Sequence, residues 1–153
     1  MMPLLLALLI GIVAGLRAMV PVAAVSWAAW AGCLTLGSSW LAFMGYAWTP
    51  WIATLPALAE LVTDQLPSTP SRKVPVQFGT RIAVGAFAGA AMGIPSGQWI
   101  AGLAAGVVGA VIGTLGGAAA RAQLAAAFGK DMPAALFEDA VAIAAAVFIM
   151  YST

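Results

Sequence analysis

Residues 82–120 read IAVGAFAGAAMGIPSGQWIAGLAAGVVGAVIGTLGGAAA, without one charged side chain between Arg81 and Arg121. A spanning helix needs about 20 mostly apolar residues, so the run has room for more than one crossing. A second charge-free run, residues 18–59, separates Arg17 from Glu60. Backbone polar groups cannot be left bare in lipid, which leaves helices or closed barrels. Alanine, leucine and glycine dominate both runs, and no barrel-type alternation of about ten residues interrupts them. The expected fold is therefore all-α, a polytopic membrane helix bundle in one domain.

Composition points the same way. The chain of 153 residues is 63% hydrophobic and 7% charged, against about 45–50% and about 25% in soluble domains. Mean hydropathy is +1.04. A net charge of +1 without a basic cluster excludes a nucleic-acid footprint. One cysteine, Cys33, excludes an intramolecular disulfide and a cysteine-based metal cluster. No histidine is present, which removes the commonest general base and transition-metal ligand. Lysines stand only in loops, serines have no histidine partner, and no phosphate or dinucleotide loop occurs. No enzyme activity, cofactor or metal is expected.

Five hydrophobic elements are expected. The first covers about Pro3 to Gly32, interrupted near Gly15–Arg17 and at Pro21; the second, about Leu41 to Leu66. A polar connector, residues 67–75, carries three prolines with Arg72 and Lys73 and reads as a loop. The third element covers about Val76 to Met92, followed by a turn at Gly93–Gly97. The fourth covers about Trp99 to Phe128 with a glycine-rich break at Gly113–Gly117, and the fifth about Ala134 to Tyr151 after the loop 129–133. Residues 4–13 also resemble the apolar region of a signal peptide, an alternative weakened by the lack of a preceding Lys or Arg.

Arg72, Lys73 and Lys130 set the expected orientation. Two crossings separate their loops, so residues 67–75 and 129–133 share one side, the cytoplasmic one by the positive-inside tendency. Integral placement in a bacterial inner membrane follows, with the lipid bilayer as partner. Trp27, Trp30, Trp40, Tyr46, Trp48, Trp51 and Trp99 are expected at the opposite face. The N-terminus is then inside and the C-terminus outside.

Arginines follow glycines inside long apolar segments twice, at Gly11–Arg17 and Gly113–Arg121, each with an acidic segment later (Glu60–Asp64, Glu138–Asp139). This reads as a degenerate inverted repeat with halves of about 1–66 and 76–153, Arg81 competing with Arg121 as counterpart of Arg17. Paired, interrupted segments of this kind point to transporter sites. Arginine deep in lipid costs roughly 2.5–3.5 kcal/mol on the insertion scale, so such residues face the interior and are paired. Arg17 is expected against Glu60 or Asp64, which share a helix face, and Arg121 against Glu138 or Asp139, of which one faces inward. Arg17, Glu60, Arg121 and Glu138 are the candidate substrate or ion residues; Asp64, Arg81 and Asp139 are secondary, with Asp64 placed near the interface.

Glycines recur at four-residue intervals: Gly85, Gly89 and Gly93, then Gly102 and Gly106, then Gly109, Gly113 and Gly117. Such stripes let backbones approach closely, within one protomer or between two. A homo-oligomer, a dimer first, is the expected assembly.

The segments Gly15-Leu16-Arg17-Ala18 with Pro21, Glu60-Leu61-Val62-x-Asp64-x-Leu66-Pro67 and Glu138-Asp139-Ala140-Val141-Ala142-Ile143 resemble a family of small bacterial integral membrane proteins of unknown function. The likeness runs from about Gly11 to Ile149. It implies a compact multi-helix membrane protein and supplies no activity or substrate. Two functions are weighed: a small transporter or channel moving a solute or ion through the arginine and carboxylate centre, and a structural protein whose ion pairs only stabilise the bundle.

Overall fold

The computed structural model describes residues 2–65 and 74–153. The described residues are 83% helical and contain no strand. The helices are α1 (Met2–Leu16), α2 (Met19–Trp30), α3 (Thr49–Thr63), α4 (Pro75–Gly93), α5 (Trp99–Phe128) and α6 (Asp131–Tyr151), with short 3-10 turns at Ala42–Gly45 and Ile94–Ser96. At 1.5 Å per residue, α5 is about 45 Å long and α6 about 32 Å. Both are long and apolar enough to cross a membrane.

The centre of the bundle is a seam of bare backbone. A Cβ built on Gly106 would fall on the carbonyl oxygen of Gly85, one on Gly89 on that of Gly102, and one on Gly113 on that of Ile12. Gly11 meets Gly106, Gly15 meets the backbone of Thr114, and Gly109 meets that of Leu8. These contacts hold α1, α4 and α5 together at backbone distance, with α1 parallel to α5 and α4 antiparallel to both. The stripe Gly85–Gly113 is consumed inside one chain.

The chain doubles back at Arg17. Met19, at the start of α2, lies beside Glu60, and Ala29, near its end, shares a cavity with Ile94 and Pro95 at the far end of α4. Helix α3 returns along α2, with the rings of Trp27 and Trp51 edge to face, their centroids 5.0 Å apart. Helix α6 follows α5 after Gly129, whose φ of +71° closes the end of α5. Successive helices therefore alternate in direction. The aromatic end holds Trp27, Trp51 and the Trp40–Trp99 pair, whose rings are 6.2 Å apart. The opposite end holds the charges.

Residue sizes are distributed inside out. Fully buried positions are mostly alanine and glycine, and Ile52, Leu55, Val108, Ile112, Phe137 and Phe148 point outward. Charged Arg17, Arg81, Glu138 and Asp139 are buried.

Four expectations need correction. The first element is two helices, not one interrupted helix, so the described residues form six α-helices, and Met2 and Tyr151 belong to the same end. Pro21 is no break: it sits in the first turn of α2, where a missing N–H costs nothing. The second element begins as irregular chain and a 3-10 turn, with regular helix only from Thr49. Helix α5 runs unbroken through Gly113–Gly117: Gly113 serves close approach to the backbone of Ile12 and bends nothing. The inverted repeat thereby loses its second broken segment. Residues 66–73, hence most of the connector with Arg72 and Lys73, lie outside the described residues.

Candidate functional site

Ending one helix and starting another inside a bundle leaves carbonyls at the end of the first and amides at the start of the second, and each needs a partner. At the α1–α2 turn these partners are charged side chains. Arg81 donates from Nη1 to the Gly15 carbonyl at 3.0 Å, and Arg17 donates from Nη1 to the Leu16 carbonyl at 3.1 Å. On the other side, the amides of Ala18 and Met19 donate to Oε1 and Oε2 of Glu60 at 2.8 and 2.7 Å. Cations meet the negative helix end and a carboxylate meets the positive one, as the helix dipoles favour.

Arg17 is the hub, with a side chain 0% exposed. Its Nη1 lies 2.5 Å from Asp64 Oδ2 and 3.5 Å from Glu138 Oε2. Its Nε donates to Asp139 Oδ1 at 2.6 Å, and its Nη2 is ion-paired with the same oxygen. Gln65 Nε2 donates to the other oxygen, Oδ2, at 3.2 Å. Arg81 Nη2 stands 3.7 Å from Glu60 and 4.0 Å from Asp64. Arg121 forks onto Asp131 at 2.7 and 3.1 Å, donates to the Asp64 carbonyl at 3.0 Å, and lies 3.6 Å from Glu138. Exposure rises outward along this chain of contacts to 61% at Asp131.

The signs are sorted by helix. Arg17, Arg81 and Arg121 lie at the end of α1, on α4 and on α5, the glycine-packed trio. Glu60 and Asp64 lie on α3 or its cap, and Asp131, Glu138 and Asp139 on α6. The site is a contact between a cationic inner layer and anionic outer helices.

All seven sequence-derived candidates, Arg17, Glu60, Asp64, Arg81, Arg121, Glu138 and Asp139, come together here. The expected pairing differs in detail. Glu60 takes backbone amides instead of Arg17, and Asp139, adjacent to Glu138, joins it in facing inward. Asp64 is a direct ligand of the buried Arg17. Asp131 was not among the candidates, although it opens α6 two residues after Gly129, where a tight turn brings it back to α5. Thr114 was also missed: its buried hydroxyl, without a hydrogen-bond partner among the described residues, lies on α5 where Gly15 packs. Comparison with family models, with curated proteins and with solved structures gives no match.

Proposed function

We propose that the chain is an integral membrane protein, and that the guanidinium and carboxylate cluster at the α1–α2 turn is a translocation site for a small ion or solute. The observation carrying this reading is the turn itself. Backbone amides and carbonyls freed in a buried turn are held by charged side chains from α3 and α4. Where only stability is required, neutral polar caps satisfy such groups at no cost in buried charge. Helix ends turned towards a polar centre are a recurring feature of transporter sites.

Outward-facing isoleucine, leucine and phenylalanine around an alanine and glycine interior support placement in a bilayer. Under the positive-inside tendency the charged end, with loop 129–133, faces the cytoplasm of a bacterial inner membrane. The cluster then lies towards that side, with the buried apolar side chains Ile10, Val13, Val20 and Val25 on its other flank.

The structural reading has its own support, because the guanidiniums have carboxylate partners and the seam leaves no room between α1, α4 and α5. Solute and ion flux into vesicles containing the purified protein separates the two. Glu60→Gln and Asp139→Asn, both nearly isosteric, are expected to cut flux at least about tenfold, as removal of one functional charge-assisted hydrogen bond should. Variants that stay folded and move solute like the parent, or a parent that moves nothing, would leave the ion pairs as structural ties.

A further inference from the structure

Helix α3 is anchored differently on the two sides of Pro56. Before it, the helix is set in the aromatic end. Trp27 Nε1 donates to Thr54 Oγ1 at 2.9 Å, and the rings of Trp27 and Trp51 lie edge to face. Thr49 Oγ1 donates to the Phe43 carbonyl at 2.7 Å, and Pro50 and Ala53 are buried. After Pro56, Ala57 is the last buried residue of the helix. Leu58 and Val62 point outward, and Leu61 is half-buried against the core. The remaining ties of residues 58–65 are polar. Glu60 holds the amides of Ala18 and Met19, Asp64 holds Arg17, Arg121 donates to the Asp64 carbonyl, and Gln65 donates to Asp139.

The joint between the two parts is weakened twice. Pro56 stands inside α3 and has no N–H to donate to the Ile52 carbonyl. The Thr54 hydroxyl donates to the Pro50 carbonyl at 2.6 Å, a back-bond of the kind that bends helices. Among the described residues, α3 lies along α2 and the 3-10 turn Ala42–Gly45. A segment with few buried apolar contacts opens before the body that carries it. The cluster tolerates its release. Arg17 keeps Asp139 and Glu138, Arg81 keeps the Gly15 carbonyl, and Arg121 keeps Asp131. The side chains of Glu60 and Asp64 are 14% and 12% exposed, against 0% for Arg17. Water therefore already touches the carboxylates that let go, and reaches Arg17 once they have.

We infer that residues 58–65 form a strap across the cluster, hinged at Pro56, and that its opening is the gate of the site. With the strap closed, its carboxylates cover the Ala18 and Met19 amides and Nη1 of Arg17. With it open, those donors face the space it leaves. One helix is thus divided into a part that stays with the tryptophans and a part that moves over the charges. The inference rests on the transport reading for what passes the gate, and on Pro56 and the two kinds of anchoring for the hinge.

Amide hydrogen exchange of the full chain in phosphatidylethanolamine and phosphatidylglycerol vesicles reads the strap directly, once corrected for intrinsic rates. Residues 58–65 should exchange at least about tenfold faster than residues 52–55, and Ala18 and Met19 should follow the strap. Pro56→Ala supplies the missing N–H, and should slow exchange at 58–65, Ala18 and Met19 together by at least about tenfold. Asp64→Asn loosens the far end of the strap. It should speed the same amides by about tenfold and leave 52–55 unchanged, and it carries the test if Pro56→Ala does not fold. Exchange of residues 52–65 as one block, or a strap that opens while Ala18 and Met19 stay protected, overturns the inference. The two proposals fail separately. Vesicles that move no solute while the strap opens would sink transport alone. Flux that Pro56→Ala leaves unchanged while slowing the strap would sink the gate alone.

Discussion

Arg17 spends one guanidinium on Asp64, Glu138, Asp139 and the Leu16 carbonyl. Removing it leaves two close carboxylates buried without their counter-ion, a loss of about 3–5 kcal/mol. Arg17→Met should lower the unfolding midpoint in detergent accordingly. Arg17→Lys should recover little, because an ammonium has no planar fork to serve separate acceptors. An unchanged midpoint for either variant would show that the hub contributes nothing to stability. The importance of Arg17 was legible in the sequence, since an arginine inside an apolar run needs buried partners. Of its partners, Asp64 was one of the two expected on α3, whereas Glu138 and Asp139 were not. Glu138 and Asp139 both turn inward because α6 is wedged between the α1–α2 turn, which takes Asp139, and α5, whose Arg121 takes Glu138. Sequence spacing describes one helix face and carries no information about a residue enclosed on two sides.

Among the elements, the glycine stripes decide the packing. Gly106→Ala would drive a methyl group into the Gly85 carbonyl, backbone that cannot swing aside. A loss of at least about 2 kcal/mol is expected, within the range for overpacking. Gly116, on the same helix, has nothing within 4 Å of its Cβ position, so Gly116→Ala should be neutral or stabilising by up to about 1 kcal/mol through helix propensity. Equal effects in chemical denaturation of the two variants would contradict the seam. Helices α4, α5 and α6 were readable to within a few residues from their apolar runs and their proline and glycine boundaries. The unbroken course of α5 was not, because glycines at intervals of four describe a bend and a seam equally. The turn at Arg17 was readable as an interruption; that it reverses the chain depends on contacts with Glu60 and Arg81, which lie far off in sequence.

The whole molecule presents a charged end and an aromatic end. In a bilayer these should fall on opposite sides, which the single native cysteine can report. Cys33 is exposed in the irregular segment after α2, near the aromatic end. A membrane-impermeant maleimide should label Cys33 from one side of oriented vesicles, and Lys130→Cys, in a Cys33→Ser background, from the other. Labelling of both from the same side would rule out the transbilayer arrangement. Composition alone pointed to lipid surroundings, but the number of helices depended on the turn at Arg17.

The sorting of charge by helix has a mechanical consequence. The guanidiniums of Arg17, Arg81 and Arg121 belong to helices locked together by backbone contact, and their carboxylate partners to helices attached through side chains. Arg17, Arg81 and Arg121 each stand within 4.0 Å of at least two carboxylates. Were the outer helices to slide by about 1–2 Å, each cation would pass from one acidic neighbour to the next without being uncovered. Such a boundary would act as a lubricated bearing: opposite charge would hold stator and sleeve together, and the surplus of acceptors would let them slip.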